Sequence, residues 1–408
     1  MTLAAEISDT KTLSRHTARL QNKKNKTPEF ERLSTMKTRF LTTCLALSAL
    51  LVTSTSVFAD HQGAGGGREI IIMSRNLYVG FDEAVAVVGV VSGIPAQIIQ
   101  SVTTAYAQVL ANQFPKRAEA LADEIAQTQP LLIGVQEAAL FRTGPFDSFS
   151  PSPTPAVQVE FDYLALLLQA LAARGLDYEA VVINEVLDAE FPGVTPAGLR
   201  DVRITDRDVI LARAGLAAAE LKLSNPQSGT FVNNLTIPIG STGLFFRSRR
   251  GWESVDAKVR GKTFRFISTH LEPESVNPAI NTLQAAQAAE ILAGPANTAL
   301  AVIFVGDLNS RADGTGTPTY ANVLAAGFTD VFTATNPAAI GDTCCHAAVL
   351  TDSDPTLDQG IDYVLIRGDL QPLVAEILGE EPADFAAYGI WPSDHAGVAA
   401  SVDLHSRP

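Results

Sequence analysis

Cysteine is scarce in this chain of 408 residues: there are three, Cys44, Cys344 and Cys345. That excludes a conventional disulfide framework, the usual support of a small loop-rich fold. The adjacent pair is either free or joined as a vicinal disulfide. His346 follows it, but no further Cys or His stands at ligand spacing, which argues against a structural zinc site. Long apolar runs are also missing. The stretch Phe40 to Val52 is well short of the roughly 20 residues that a membrane span needs. Internal repeats are absent, as is any linker that would divide residues 69–404. Basic residues are few, with 30 Lys and Arg against 44 Asp and Glu, a net charge of −14. An acidic surface repels polyanions, so no stable nucleic-acid partner is expected, although a metal in a local site can still receive one phosphate group. What the chain does have is apolar mass, 46% of its residues against 18% charged, ample for a large core.

Residues 1–35 crowd basic side chains with little apolar periodicity and are expected to be a dispensable extension, with translation starting at Met36. Met36-Lys37-Thr38-Arg39 is a charged n-region, the apolar run follows, and Val57-Phe58-Ala59 offers a small-residue cleavage site. Residues 36–59 therefore read as a secretory signal, and the mature protein is expected to be secreted or periplasmic. Removing residues 1–59, which hold nine Lys/Arg and four Asp/Glu, leaves 21 basic against 40 acidic residues, net −19. Residues 60–68 make a Gly-rich flexible leader, and 69–404 a single catalytic domain.

Within that domain Glu69 to Met73 reads as a buried strand. An Ala/Val-rich stretch from Phe81 to Asn112 follows, expected to be helical and packed on the core rather than inserted in a membrane. Pro115 suits the first turn of the next helix, and Ala118, Leu121, Ala122 and Ile125 form its apolar stripe. Leu131 to Val135 is another buried strand. Residues 143–156, rich in Pro, Ser and Gly, read as a loop. Phe161 to Leu171 has helical periodicity. Val181 to Ile183, Asp208 to Ala212 and Gly243 to Phe246 read as short strands, and Trp252 to Thr269 as a hairpin about Gly261-Lys262. A helix over about Asn281 to Leu292 and strands at Ala301 to Val305, Ile361 to Ile366 and Ala396 to Val402 complete the pattern.

Polar residues of one chemical type cluster at the edges of these strands. Glu137 follows Leu131 to Val135 and is the leading candidate for a metal-ligating carboxylate. Asn76 stands beyond the first strand, as a neutral oxygen ligand or as a hydrogen-bond partner of Glu137, and Asp394 is counted with them as a metal-side candidate. Asp307 and Asn309, two apart, would point the same way in an extended segment, one to orient a nucleophile and one to donate to a phosphate oxygen. Gly306-Asp307-Leu308-Asn309 is equally good turn chemistry. His395 with Asp362 has the composition of a general base held by a carboxylate. His270 stands at a strand edge beside acidic residues, with Asp206 as a candidate to orient it, in competition with Asp208 and Asp201. The earlier strands carry these residues at their ends and the last two at their starts. A mixed sheet with the last strands antiparallel brings all of them to one rim.

Taken in order, Asn76, Gln136-Glu137, Ser268-Thr269-His270-Leu271, Gly306-Asp307-Leu308-Asn309, Ile361-Asp362-Tyr363 and Ser393-Asp394-His395 resemble the motif series of the endonuclease/exonuclease/phosphatase superfamily, which includes DNase I-like nucleases, bacterial sphingomyelinases and inositol polyphosphate phosphatases. The His in Ser-Thr-His resembles the DNase I and sphingomyelinase branches. The resemblance implies an α/β (α+β) fold, a four-layer sandwich of two mixed β-sheets packed face to face and flanked by helices. It implies Mg²⁺, or Mn²⁺ or Ca²⁺, at Glu137, His395 with Asp362 as general base, and His270 as phosphate contact or general acid. Gln359-Gly360 departs from the Arg that often precedes the Ile-Asp pair. The expectation is a secreted, metal-dependent phosphoesterase whose substrate is read only by class: the acidic balance favours a small or lipid phosphoester over long nucleic acid. An extracellular endonuclease and a catalytically idle secreted binding protein are the alternatives, and the chain is expected to be monomeric.

Overall fold

The computed structural model of the protein describes residues 68–147 and 154–404. The proposed signal, most of the leader and the centre of the 143–156 segment lie outside the described residues.

The first strand, β1 (Glu69–Asn76), is almost wholly buried, as its continuous apolar run requires. Two helices follow, α1 (Glu83–Val91) and α2 (Pro95–Ala111). Asp82 caps α1 by accepting a hydrogen bond from the Val85 N–H, and Pro95 opens α2. Helix α3 (Phe114–Thr128) leads to β2 (Leu132–Gln136), β3 (Leu140–Pro145), β4 (Gln158–Asp162) and α4 (Tyr163–Ala173). A long hairpin, β5 (Tyr178–Thr195) and β6 (Gly198–Arg213), precedes β7 (Lys222–Thr230), β8 (Leu235–Pro238) and β9 (Phe245–Ser248). Then come β10 (Gly251–Val259), β11 (Lys262–His270), α5 (Pro278–Ala293), β12 (Ala301–Asp307) and α6 (Thr319–Ala325). Short elements β13 (Thr329–Asp330) and α7 (Val331–Thr335) lead to β14 (Asp362–Arg367), β15 (Gln371–Leu378), α8 (Pro382–Tyr388) and β16 (Gly397–Asp403).

Among the described residues the strands form two large mixed sheets. One runs β15-β16-β1-β2-β6-β3-β4, with β5 also paired to β6; the other runs β13-β14-β12-β11-β10-β7. The two-residue period of each strand sorts its side chains between layers. Ile70 and Ile72 of β1 and Ile303 and Val305 of β12 meet in the core between the sheets, with Phe264 and Phe266 of β11. Ile71 and Met73 turn outward against Leu121 and Ile125 of α3 and Leu167 of α4. On the opposite outer face Val302 and Phe304 pack against Ile291 of α5 and Val323 of α6. The result is the four-layer α/β sandwich, helix on sheet on sheet on helix. Gly134 lets the sheets close up near their common rim: a Cβ there would lie 2.4 Å from Val305 and 2.7 Å from the Ser268 hydroxyl.

The last two rim strands have the polarity read from the sequence. β14 is antiparallel to β12, and β16 is antiparallel to β1. Other elements differ from expectation. The short strands at Val181 to Ile183 and Asp208 to Ala212 are parts of β5 and β6, which continue as a ribbon far beyond them. Cross-strand pairs such as Arg203 with Asp188 support that polar ribbon, so apolar runs do not mark it. The expected 143–156 loop begins as strand β3, paired to β6. β4, β7 and β15 are edge strands; β4 and β7 are polar in composition, with Asn225 at φ +54° inside β7. No helix among the described residues is long and apolar enough to cross a membrane. The 84–110 segment packs on the protein instead, α2 burying Ile98, Val102 and Tyr106 against Val202 of β6.

Candidate active site at the rim of the two sheets

Strand register sets three of the candidate residues side by side. His270 of β11 pairs with Asp307 of β12, and Asp307 pairs with Asp362 of β14. On the other sheet Asn76 pairs with Gln136, so Asn76 and Glu137 end adjacent parallel strands. His270, Asp307 and Glu137 open onto one cleft of about 360 Å³, lined also by Asn309, Asp394, His395, Arg250 and His346. Gly306 makes the approach possible. Its φ is +143°, and a Cβ would stand 2.1 Å from the Thr269 carbonyl oxygen.

Asp307 is the hub. Its Oδ2 lies 3.3 Å from Asn76 Nδ2, 3.5 Å from His270 Nε2 and 3.8 Å from His395 Nδ1. Burial, then repulsion from Asp362, pushes the carboxyl up to about 7, with His395 opposing. His395 donates from Nδ1 to Asp362 Oδ2 across 2.8 Å, which leaves Nε2 toward Asp394, 3.9 Å away. Burial alone would lower the basicity of His395; Asp362, Asp394 and Asp307 outweigh it and raise the imidazole well above its ordinary range. Its carbonyl accepts from Arg75, which in turn pairs with Glu124 at 2.9 Å. Both partners are buried, so β1 and α3 hold the backbone of the catalytic candidate.

His270 is the opposite case. Burial, then Arg250, then His395 holds it well below the ordinary imidazole range, so it is neutral. Arg250 donates to its Nδ1 at 2.8 Å, which leaves the Nε2 hydrogen directed at Asp307. Asp206 does not orient His270. It is buried on β6 with Oδ1 unpartnered, and its carboxyl is raised to about 6 by burial, with Arg250 as its main opposing charge. Asp307 and Arg250 perform the role expected of it, because β11 has Asp307 as its ladder neighbour and β6 lies in the other sheet.

Glu137 adopts φ +59° directly after β2, and its two oxygens accept from Asn76 Nδ2, at 2.9 Å, and from the Val79 N–H. Asn76 turns its own oxygen to the Tyr78 N–H at 2.8 Å, so it positions Glu137 rather than presenting an oxygen to the cleft. Asn309 is not extended. With φ +49° and its N–H on Asp307 Oδ1 at 2.8 Å it closes a turn, and its Nδ2 donates to Leu271 O. It still borders the cleft.

Several contributors escaped the sequence reading. Arg250 is 4% exposed and lies 3.6 Å from Glu83. The hairpin register sets Gly251 opposite His270, so counting back from Gly261 would have found Arg250 one residue away. Arg117 of α3, fully buried, donates to the carbonyls of Leu77, Tyr78 and Pro392, tying the loop after β1 to the loop before His395. His346 stacks on Trp391, with ring centroids 4.2 Å apart, and burial lowers it to about 4. Cys344 and Cys345 form a vicinal disulfide, and the donor group they approach includes His395, not His346.

The donor set suits a hard divalent cation. Glu137 is raised well above its ordinary range by burial, then by Glu83, Asp394 and Asp206, and Asp394 by burial and Asp362 against His395 and Arg117. Such an excess of buried carboxylate is relieved by a cation with oxygen preference. Asp307, Asp362 and His395 also bring donor atoms within 4.8 Å of one another. The Nδ1 of His395 is already engaged by Asp362, so this second group serves proton transfer better than ligation.

Two facing mixed sheets with this rim define a hydrolase fold of the DNase I-like class. The sequence profile of the Endonuclease/Exonuclease/phosphatase family matches residues 108–395, and the chain belongs to that family. An endonuclease/exonuclease/phosphatase family protein from Leptotrichia buccalis C-1013-b superposes with a TM-score of 0.50 at 15% identity, over 82% of this chain and 99% of that one. The mannosyl-6-phosphatase Bt3783 of Bacteroides thetaiotaomicron VPI-5482 gives 0.47 at 15% identity, over 82% and 99%. TDP2 of D. rerio, complexed with single strand DNA product, gives 0.45 at 16% identity, over 82% and 99%. No curated protein matches the sequence.

Proposed function

We propose that the protein is a secreted, divalent-metal-dependent phosphoesterase that uses a water activated by His395. The observation that carries this reading is the 2.8 Å bond from His395 Nδ1 to Asp362, which fixes the tautomer and turns Nε2 to the cleft beside Asp394. Nε2 accepts the proton of the attacking water, and Asp362 stabilises the imidazolium that forms. Glu137 and Asp394, with Asn76 steadying Glu137, would hold Mg²⁺ or a similar ion. Bound there, the ion offsets charge on the phosphate oxygens. Arg250, the cation of the cleft wall, adds to that compensation. His270, held neutral with its one N–H toward Asp307, steadies that carboxylate rather than acting as general acid. Glu83, Glu137, Asp307 and Asp394 line the cleft, which supports a small or lipid phosphoester over long nucleic acid.

The test is hydrolysis of bis-p-nitrophenyl phosphate with Mg²⁺, followed by a panel of DNA, sphingomyelin and sugar or inositol phosphates. EDTA should stop turnover and Mg²⁺ or Mn²⁺ restore it. Turnover that persists through chelation, or is undiminished in His395→Ala, refutes the assignment.

A further inference from the structure

Beside the cleft lies a second cavity of about 330 Å³, which shares Phe81, Glu83 and Arg250 with it. Its walls come from α1–α2, the β5–β6 ribbon, Phe141 of β3, the β8–β9 pair and the segment 272–280. On α1, Glu83, Ala86, Val87 and Val90 line it at the i, i+3, i+4, i+7 spacing of one helical face. Leu187, Ala189 and Phe191 of β5 and Val202 and Ile204 of β6 line it by the two-residue alternation of strands. Polar groups gather at the end nearest the rim, where Asp206 Oδ1, Arg250 Nε and Glu272 Oε2 are buried without hydrogen-bond partners. Native packing leaves few voids larger than a water molecule. A chamber within the size range of ligand pockets, apolar along its walls and joined to a catalytic rim, has the layout of a binding site.

We propose that this chamber receives the hydrocarbon portion of the substrate, so that the protein acts on an amphiphilic phosphoester whose phosphate sits at the rim. The proposal rests on the phosphoesterase reading of that rim. Sugars and nucleobases suit the chamber poorly. Against Leu187, Ala189, Phe191, Val202 and Ile204 their polar atoms would lose water without finding partners. An alkyl or aryl group loses nothing there and leaves water.

The experiment uses the full chain with Mg²⁺ and p-nitrophenyl alkyl phosphate diesters from methyl to octyl. Specificity, as kcat/KM, should rise about fourfold per added methylene, the equivalent of ~0.8 kcal/mol, until the chamber is full. Ala189→Trp on β5 and Ala86→Trp on α1, both away from the catalytic rim, should each remove that gain while the methyl ester is turned over as before. Hydrolysis confined to the longer esters also supports the proposal. Turnover with no gain along the series, or a gain that survives in both folded variants, overturns the chamber's role and leaves the phosphoesterase reading standing. Failure to hydrolyse any member, with Mn²⁺ as well as Mg²⁺, overturns both.

Discussion

Asn76 and Glu137 meet through a 2.9 Å hydrogen bond from the amide Nδ2 to Oε1, and the same Nδ2 reaches 3.3 Å to Asp307. One amide thus joins the carboxylate proposed for the metal to the carboxylate shared by both histidines. Replacing Asn76 with Ala frees Glu137 and should reduce metal affinity or activity about 10–100-fold. A titration of Mg²⁺ against rate measures it. The half-saturating concentration should rise, with partial rescue at high Mg²⁺; an unchanged titration would contradict this positioning role.

The His395–Asp362 pair makes a prediction in pH. In the proposed mechanism His395 works when unprotonated, and Asp362 raises its basicity. Asp362→Asn removes that influence, so the acidic limb of the kcat/KM profile should move to lower pH while the plateau falls. His395→Ala should cost about 10²–10⁴-fold in kcat. Circular dichroism should show the fold intact in both variants.

Glu253 of β10 ties stability to pH. It is fully buried, accepts from Asn184 at 2.8 Å and leaves Oε2 unpartnered; burial raises it to about 8. Its folded value lies above its unfolded one. The stability of the neutral form is therefore complete below the ordinary carboxyl range, near 4.5, and is lost as pH rises through about 8. Glu253→Gln should flatten this dependence, by roughly 1 kcal/mol per pH unit across that window. Urea unfolding at pH 5 and pH 8 compares the two slopes; parallel slopes would exclude Glu253 as their source.

Gly306→Ala should be costly because the Cβ has no room beside the Thr269 carbonyl. Backbone strain of about 1–3 kcal/mol is expected, together with a loss of activity through displacement of the adjoining Asp307. Thermal unfolding and kcat should fall together. A variant of normal stability and rate would show that the strand can shift without disturbing the rim.

The rim was legible in the sequence for a physical reason. Ala301 to Val305 and Leu131 to Val135 are continuous apolar runs, so their ends are visible, and Asp307 and Glu137 stand beside those ends. Long-range register was not legible. It decides that His270 faces Asp307 rather than Asp206, and that Arg250 reaches His270. The β5–β6 ribbon was concealed because charged residues such as Glu185, Asp188, Arg203 and Arg207 interrupt its apolar alternation, although one of its faces is covered. Asn309 illustrates a third limit: its amide looked available, but positive φ and Leu271 O use it in the turn.

His395 lies at the entrance to β16, and β16 is an interior strand, between β15 and β1. The strand made last among those described therefore lies inside the sheet and not at its edge. A growing chain makes β1, α3 and the arginines Arg75 and Arg117 early, but leaves a gap between β1 and β15 until residues 397–403 arrive. Filling that gap seats the base in the same event that closes the sheet. On the proposed reading the strand that completes the sheet also positions His395, so a chain that stops before β16 should show no turnover.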